Sequence, residues 1–159
     1  MSQIISKSIQ DSTTTSMALV DVIENEFVIR EPSDMILNEF DDKKIRINLD
    51  LNFKKSDQSD LLIVFFSVKY DYKYDDINFE FLRCIISYHF RIAELEKFIK
   101  ISDKGIDINE SIALNLVSIV VSTTRGIIAT KSKGYFINKF YLPILNARMI
   151  AEQFSIESK

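Results

Sequence analysis

Residues 45–54, IRINLDLNFK, alternate apolar and polar without a break. Ile45, Ile47, Leu49, Leu51 and Phe53 share one side of an extended chain, and Arg46, Asn48, Asp50, Asn52 and Lys54 share the other. A period of two is a strand with one wet face, so this chain needs a sheet covered on one side only. The next stretch, LLIVFFSVKYDYKY (61–74), departs from that rule. Val68, Tyr70, Tyr72 and Tyr74 alternate with Lys69, Asp71 and Lys73, but 61–66 is apolar on both faces. One face can lie on the chain's own core. The other needs separate cover.

Two more strands flank these. ALVDVIENEFVIRE (18–31) is the first, with Val20, Val22, Phe27 and Ile29 expected to face in, and Pro32 ends it because proline cannot donate to a ladder. SDMILNEFDD (33–42) reads as a long crossing connection. INFEFLRCIISYHFRIAEL (77–95) is the fourth strand, reached through the turn at 74–76. Short connections from 45 onward favour an antiparallel meander.

A long helix follows, expected from about 108 to about 131. Asp107 and Glu110 have capping-box spacing ahead of an apolar run, and Gly134 breaks the chain. Ser111, Asn115, Ser118, Ser122, Arg125 and Ala129 recur at steps of four and three. They draw a seam of small, mildly polar residues down one side, with apolar flanks on both. Such a seam lets another helix approach closely. YFINKFYLPIL (135–145) reads as an extended apolar loop, and Asn146 as the cap of a short last helix carrying Ile150 and Phe154.

The expected fold is therefore α+β: a four-stranded antiparallel sheet with a long helix and a short C-terminal helix packed on one face. Residues 1–17, rich in Ser and Thr, read as a flexible arm, and 18–159 as one domain. Only 3 Gly and 2 Pro in 159 residues argue for long regular elements. A net charge of −3 gives no reason to expect nucleic acid. The single Cys84 suits a reducing cytosol, and no secretory signal is visible. Arg125 within the most apolar segment argues for a buried helix and against membrane insertion.

Catalysis finds little support. His89, the only histidine, stands between Tyr88 and Phe90 on a strand and reads as a surface or packed residue. Cys84 and His89 lack two further well-spaced partners for a metal. Asp41–Asp42 and Asp75–Asp76 lie in turns, where Asp is common. Gly105, Gly126 and Gly134 form no phosphate loop. No enzyme activity, cofactor or metal is expected. Arg125 reads as an ion pair or carbonyl contact across an oligomer seam.

FRIAELEKFI (90–99) and STTRGIIATKSKGYFINKFYLPILN (122–146), with Arg125, Gly134, Leu142, Pro143 and Asn146 in place, resemble the SecB-type export chaperone family. The resemblance implies a cytoplasmic homotetramer, a dimer of dimers. Its helices lie between two eight-stranded sheets, and unfolded polypeptides bind in apolar grooves outside. The seam Ser111, Asn115, Ser118, Ser122, Arg125 and Ala129 becomes the subunit contact. Phe66, Tyr70, Tyr72, Phe79, Phe81, Tyr88, Phe136, Phe140 and Leu142 become the client-binding side chains. Relatives that hand clients to the SecA motor are more acidic on the exposed sheet. Here Lys54, Lys55, Lys69, Lys73 and Arg83 mix with Asp50, Asp71 and Glu80. Two roles stay open: holding unfolded preproteins for export, or protecting the antitoxin of a toxin–antitoxin pair. A dedicated binder of one folded partner and a small-ligand pocket are the readings from other classes.

Overall fold

The alternation at 45–54 becomes β2 (Ile45–Lys55), and the doubly apolar stretch becomes β3 (Leu61–Tyr74). With β1 (Met17–Ile29) and β4 (Ile77–Ile92) they form one antiparallel sheet in the order β1-β4-β3-β2. The structure, a computed structural model, describes residues 16–103, 105–146 and 148–150. Nearly all of the expected arm 1–17, and Phe154 of the expected last helix, lie outside these residues. Of that helix, Arg148, Met149 and Ile150 are helical.

The strand order sends 33–42 from one edge of the sheet to the other. That connection contains a short helix, α1 (Asp34–Asn38), which buries Ile36. Tyr72 fastens its far end: the phenol accepts from the Asp41 amide at 3.1 Å and donates to the Glu39 carbonyl at 3.4 Å. Between β3 and β4 a two-residue turn uses Asp75 at φ 49°, a left-handed conformation that Asp tolerates.

One face of the sheet is covered by α2 (Glu110–Lys131), which buries Ile112, Ala113, Leu116, Val117, Val120, Val121, Thr124 and Ile128 against it. By length and composition this helix could cross a membrane. In this fold its apolar side lies on β3 and β4. Leu62, Val64, Phe66, Val68 and Tyr70 pair in register with Phe90, Tyr88, Ile86, Cys84 and Leu82, and these ten form the centre of the core. Among the described residues, the opposite face of β3 has no such cover. Ile63 and Phe65 stay partly exposed there, beside Ile85 and across Ser87 from Ile23.

Four expectations are corrected. Val20 is exposed where the register shift after Leu19 re-aims β1, and Val22, though paired with the inward Tyr88, is exposed because α2 leaves a groove over it; Phe27 and Ile29 do pack on the core. β4 ends at Ile92, three residues early, where Ala93 and Glu94 turn the chain, the latter at φ 55°. A hairpin of β5 (Ile99–Ser102) and β6 (Gly105–Ile108) follows, built on Ile99, Ile101, Ile106 and Ile108 at spacing two. Asp107 therefore belongs to a strand. The helix cap is Asn109, whose side chain accepts from the Ser111 amide at 3.0 Å.

Candidate functional site

Six aromatic rings meet at the end of the sheet that α2 leaves uncovered. Tyr72 comes from β3, Phe79 and Phe81 from β4, Phe40 from the crossing connection, and Phe136 and Phe140 from the segment after α2. A register irregularity makes this convergence. Tyr70 pairs with Leu82 but Asp71 pairs with Glu80, so Phe81 is the extra residue of a β-bulge. Phe81 and Leu82 consequently both turn inward, although they are consecutive. Phe81 then stacks on Phe136 at 5.7 Å and meets Phe79 edge-on at 5.0 Å. Phe40 stacks on Tyr72 at 4.9 Å. Offset and edge-on pairs of this kind each contribute about 0.5–1.5 kcal/mol beyond their burial.

The segment that caps this trough is fixed at its start by polar contacts. A 3-10 turn, Phe136–Lys139, follows α2. The Phe136 amide donates to the Glu31 carboxylate at 3.2 Å. Asn138 donates to the Ala129 carbonyl and to the Ser132 hydroxyl, which satisfies the last turn of α2. Gly134, at φ 87°, permits the reversal between them. Beyond Lys139 the chain runs without helix or strand to Asn146.

The residues expected to bind clients divide into three groups. Tyr72, Phe79, Phe81, Phe136 and Phe140 are brought together in the trough, and of these Phe79, Phe136 and Phe140 are half-buried. Phe66, Tyr70 and Tyr88 lie along the sheet under α2, with no exposed surface. Leu142 belongs to the capping segment and is 2% exposed. Phe66, Tyr70, Tyr72, Phe81, Tyr88 and Leu142 thus serve the subunit's own core, and a client cannot touch them while α2 and the cap stay in place. Their alternation marks an inward face, and α2 and the cap already occupy it. Phe40 completes the trough and was missed. Its signal was the four-residue spacing of Ile36 and Phe40 in the connection 33–42.

The seam expected between subunits is open in the isolated chain. Ser111, Asn115, Ser118 and Ser122 are exposed, and Arg125 and Ala129 half-buried. Arg125 makes the expected carbonyl contact, but within its own chain. Its Nε donates to the Leu142 carbonyl at 3.0 Å and its Nη2 to the Pro143 carbonyl at 2.7 Å. Beside the seam, a groove of about 490 Å³ separates α2 from β1, lined by Val22, Ile86, Thr123, Gly126 and Ile127. Lys131 closes one end, bonded to Glu24 and 4.5 Å above the Phe27 ring.

Titratable groups in the interior are held neutral. Burial pushes Cys84 up to about 12, with a smaller push from the Glu24 carboxylate. Burial likewise raises Tyr88 to about 12, against a hydrogen bond with Thr124 that works the other way. A thiol so disfavoured as a thiolate is a poor nucleophile. Among the described residues no three His, Cys, Asp or Glu side chains converge as metal ligands. His89 is half-buried on the outer face, paired with Ile63 and Asp21. What the arrangement offers chemically is apolar contact and backbone hydrogen bonding.

No family model matches the chain, and no curated protein matches it. Among solved structures, it is similar to a protein of unknown function from Streptococcus agalactiae. The match has 14% identity and a TM-score of 0.33, and covers 84% of this chain and 99% of that one.

Proposed function

We propose that this protein is a holdase-type chaperone of the SecB-like kind, which binds extended apolar stretches of unfolded polypeptides and works as an oligomer. The observation that carries this reading is apolar surface in excess of what one subunit hides. Along the edge strand β1, Leu19, Val20, Val22 and Ile23 are all exposed. Beyond the trough, Tyr141 and Ile144 are exposed as well. Patches of this kind serve as interaction surfaces or cause aggregation.

Two uses divide this surface. The open edge of β1 and the small-residue side of α2 suit contact between copies: backbone pairing at the strand and close approach at the helix. The trough and its cap suit a client. Apolar contact is non-directional and tolerates many client sequences. Several modest sites on one oligomer would gain through effective concentration. The order of elements, four antiparallel strands, a long helix, an extended apolar segment and a further helical turn, is what the resemblance leads one to expect, with the β5–β6 hairpin added between the fourth strand and the helix. The mixed charges of the outer sheet give no reason to add a motor partner.

The test is the aggregation of a chemically unfolded model protein with and without this one, at equimolar oligomer. Delay supports holding; unchanged aggregation removes it. A preprotein and an antitoxin as clients separate the export role from the toxin–antitoxin role.

A further inference from the structure

The segment that caps the trough has the chemistry of the ligand proposed for it. Leu142 is buried, and Phe140 and Leu145 pack on the core, while Tyr141 is 66% and Ile144 92% exposed. This is an extended apolar peptide with greasy side chains on both sides, only one of which the subunit uses. From Tyr141 to Leu145 its only hydrogen bonds to the rest of the described chain are the two that Arg125 donates, both to backbone carbonyls. A guanidinium fork on consecutive carbonyls reads no side chain and would grip the same atoms of any extended polypeptide. Below it, the Tyr70 hydroxyl is buried without a partner among the described residues. The Arg125 charge acts on that hydroxyl too, working against the burial that raises it. A buried hydroxyl left unpaired is a costly feature that asks for a reason.

The geometry points to a built-in pseudo-ligand: residues 140–145 occupy, in the resting subunit, the site that takes an extended apolar segment of another polypeptide, and Arg125 holds the backbone of whichever segment is seated. This rests on the reading of the protein as a holder of unfolded chains. It narrows the ligand to a stretch with apolar residues spaced like Phe140, Leu142 and Leu145 and two accessible carbonyls between them. It also accounts for Phe140 and Leu142, two of the nine expected contact residues, as parts of the seated segment itself. The start of the segment is anchored through Glu31 and Asn138, so release would begin beyond Lys139 and uncover Phe40 and Phe136, the two rings that Phe140 touches.

The experiment uses the full chain and a labelled peptide of its own residues 139–146, KFYLPILN. Leu142→Ser weakens the seated segment and should bind the peptide roughly tenfold more tightly than the wild type, because less of the site is self-occupied. Pro143→Gly, at an exposed position, frees the released segment entropically and should move affinity the same way without touching the core. Arg125→Met loosens the segment but removes the grip, and should bind no more tightly than the wild type. Excess unlabelled peptide should speed amide hydrogen exchange within 140–145 of the wild type. Weaker or unchanged binding by both Leu142→Ser and Pro143→Gly, or exchange that the peptide leaves untouched, overturns the proposal. The peptide measurements involve no unfolded protein. Protection of an unfolded client with unaltered exchange at 140–145 removes the pseudo-ligand alone. Displacement by the peptide without any client protection removes the chaperone reading and leaves the site.

Discussion

The hydroxyls of Tyr88 and Thr124 meet at 2.6 Å, joining the middle of β4 to the middle of α2 inside an otherwise apolar core. Both residues are fully buried, so each hydroxyl depends on the other or on local backbone. Thr124→Val is isosteric and strands the tyrosine hydroxyl, which should cost about 1–3 kcal/mol in a urea titration. Tyr88→Phe should cost less, about 1 kcal/mol, because a helical threonine can turn back to a carbonyl one turn earlier. A double variant no worse than Thr124→Val alone would confirm that the two act as a pair.

The interior should fail in alkali. Cys84 is raised from 9.0 and Tyr88 from 10.0, each to about 12, and Tyr70 is raised as well, burial being the leading cause in all three. The unfolded chain therefore loses these protons first. Stability is fully present below pH 9, falls as pH rises through that range, and is exhausted as the folded values near 12 are passed. Denaturant midpoints measured across this window should drop with a slope that Cys84→Ala makes shallower by up to about one proton. A flat midpoint would place these groups in contact with water.

At the acid end the sign reverses. Burial works against an ionised Glu80, but hydrogen bonds from Arg83 and Arg30 outweigh it and hold the carboxyl below its ordinary 4.5. As pH falls below that value the unfolded chain takes up the proton first. The contribution is whole above the ordinary carboxylate range and disappears as pH passes down through the lowered value. Glu80→Gln should lower the midpoint at pH 7 and flatten its dependence below pH 5. The check is a series of thermal melts from neutral to acid pH.

Ser118 is exposed on the outer side of α2, so Ser118→Lys should leave the subunit folded. If copies pack along that side, the lysine places an unpaired charge in the contact, and the assembly should split. Light scattering after gel filtration reads this directly. A wild type already monomeric at micromolar concentration would contradict the assembly. A mutant that keeps the wild-type mass would put the contact on another face.

Local pattern was enough for much of the scaffold. Strict alternation at 45–54 and 68–74 identified β2 and half of β3, since a one-residue slip would bury Asp50 or Lys69. The run from Ile112 onward identified α2, whose period of buried residues follows from 3.6 residues per turn. The aromatic residues of 70–81 and 136–140 were legible as an apolar surplus. Whether that surplus faced inward or outward was not, because periodicity names a face without naming what covers it.

Three features belonged to the assembled chain alone. The bulge at Phe81 arises from pairing with β3, and it turns two consecutive side chains inward against the strand's own alternation. Arg125 found its carbonyls seventeen residues later in the same chain, since only the path of 140–145 over the trough brings them within reach. Phe40 entered the ring cluster because the strand order forces 33–42 across the sheet end. Residue order determined which segments become strand and helix, through backbone sterics and hydrophobic period. Long-range packing alone decided which apolar faces the subunit keeps for itself, because burial is a property of the neighbours and not of the residue.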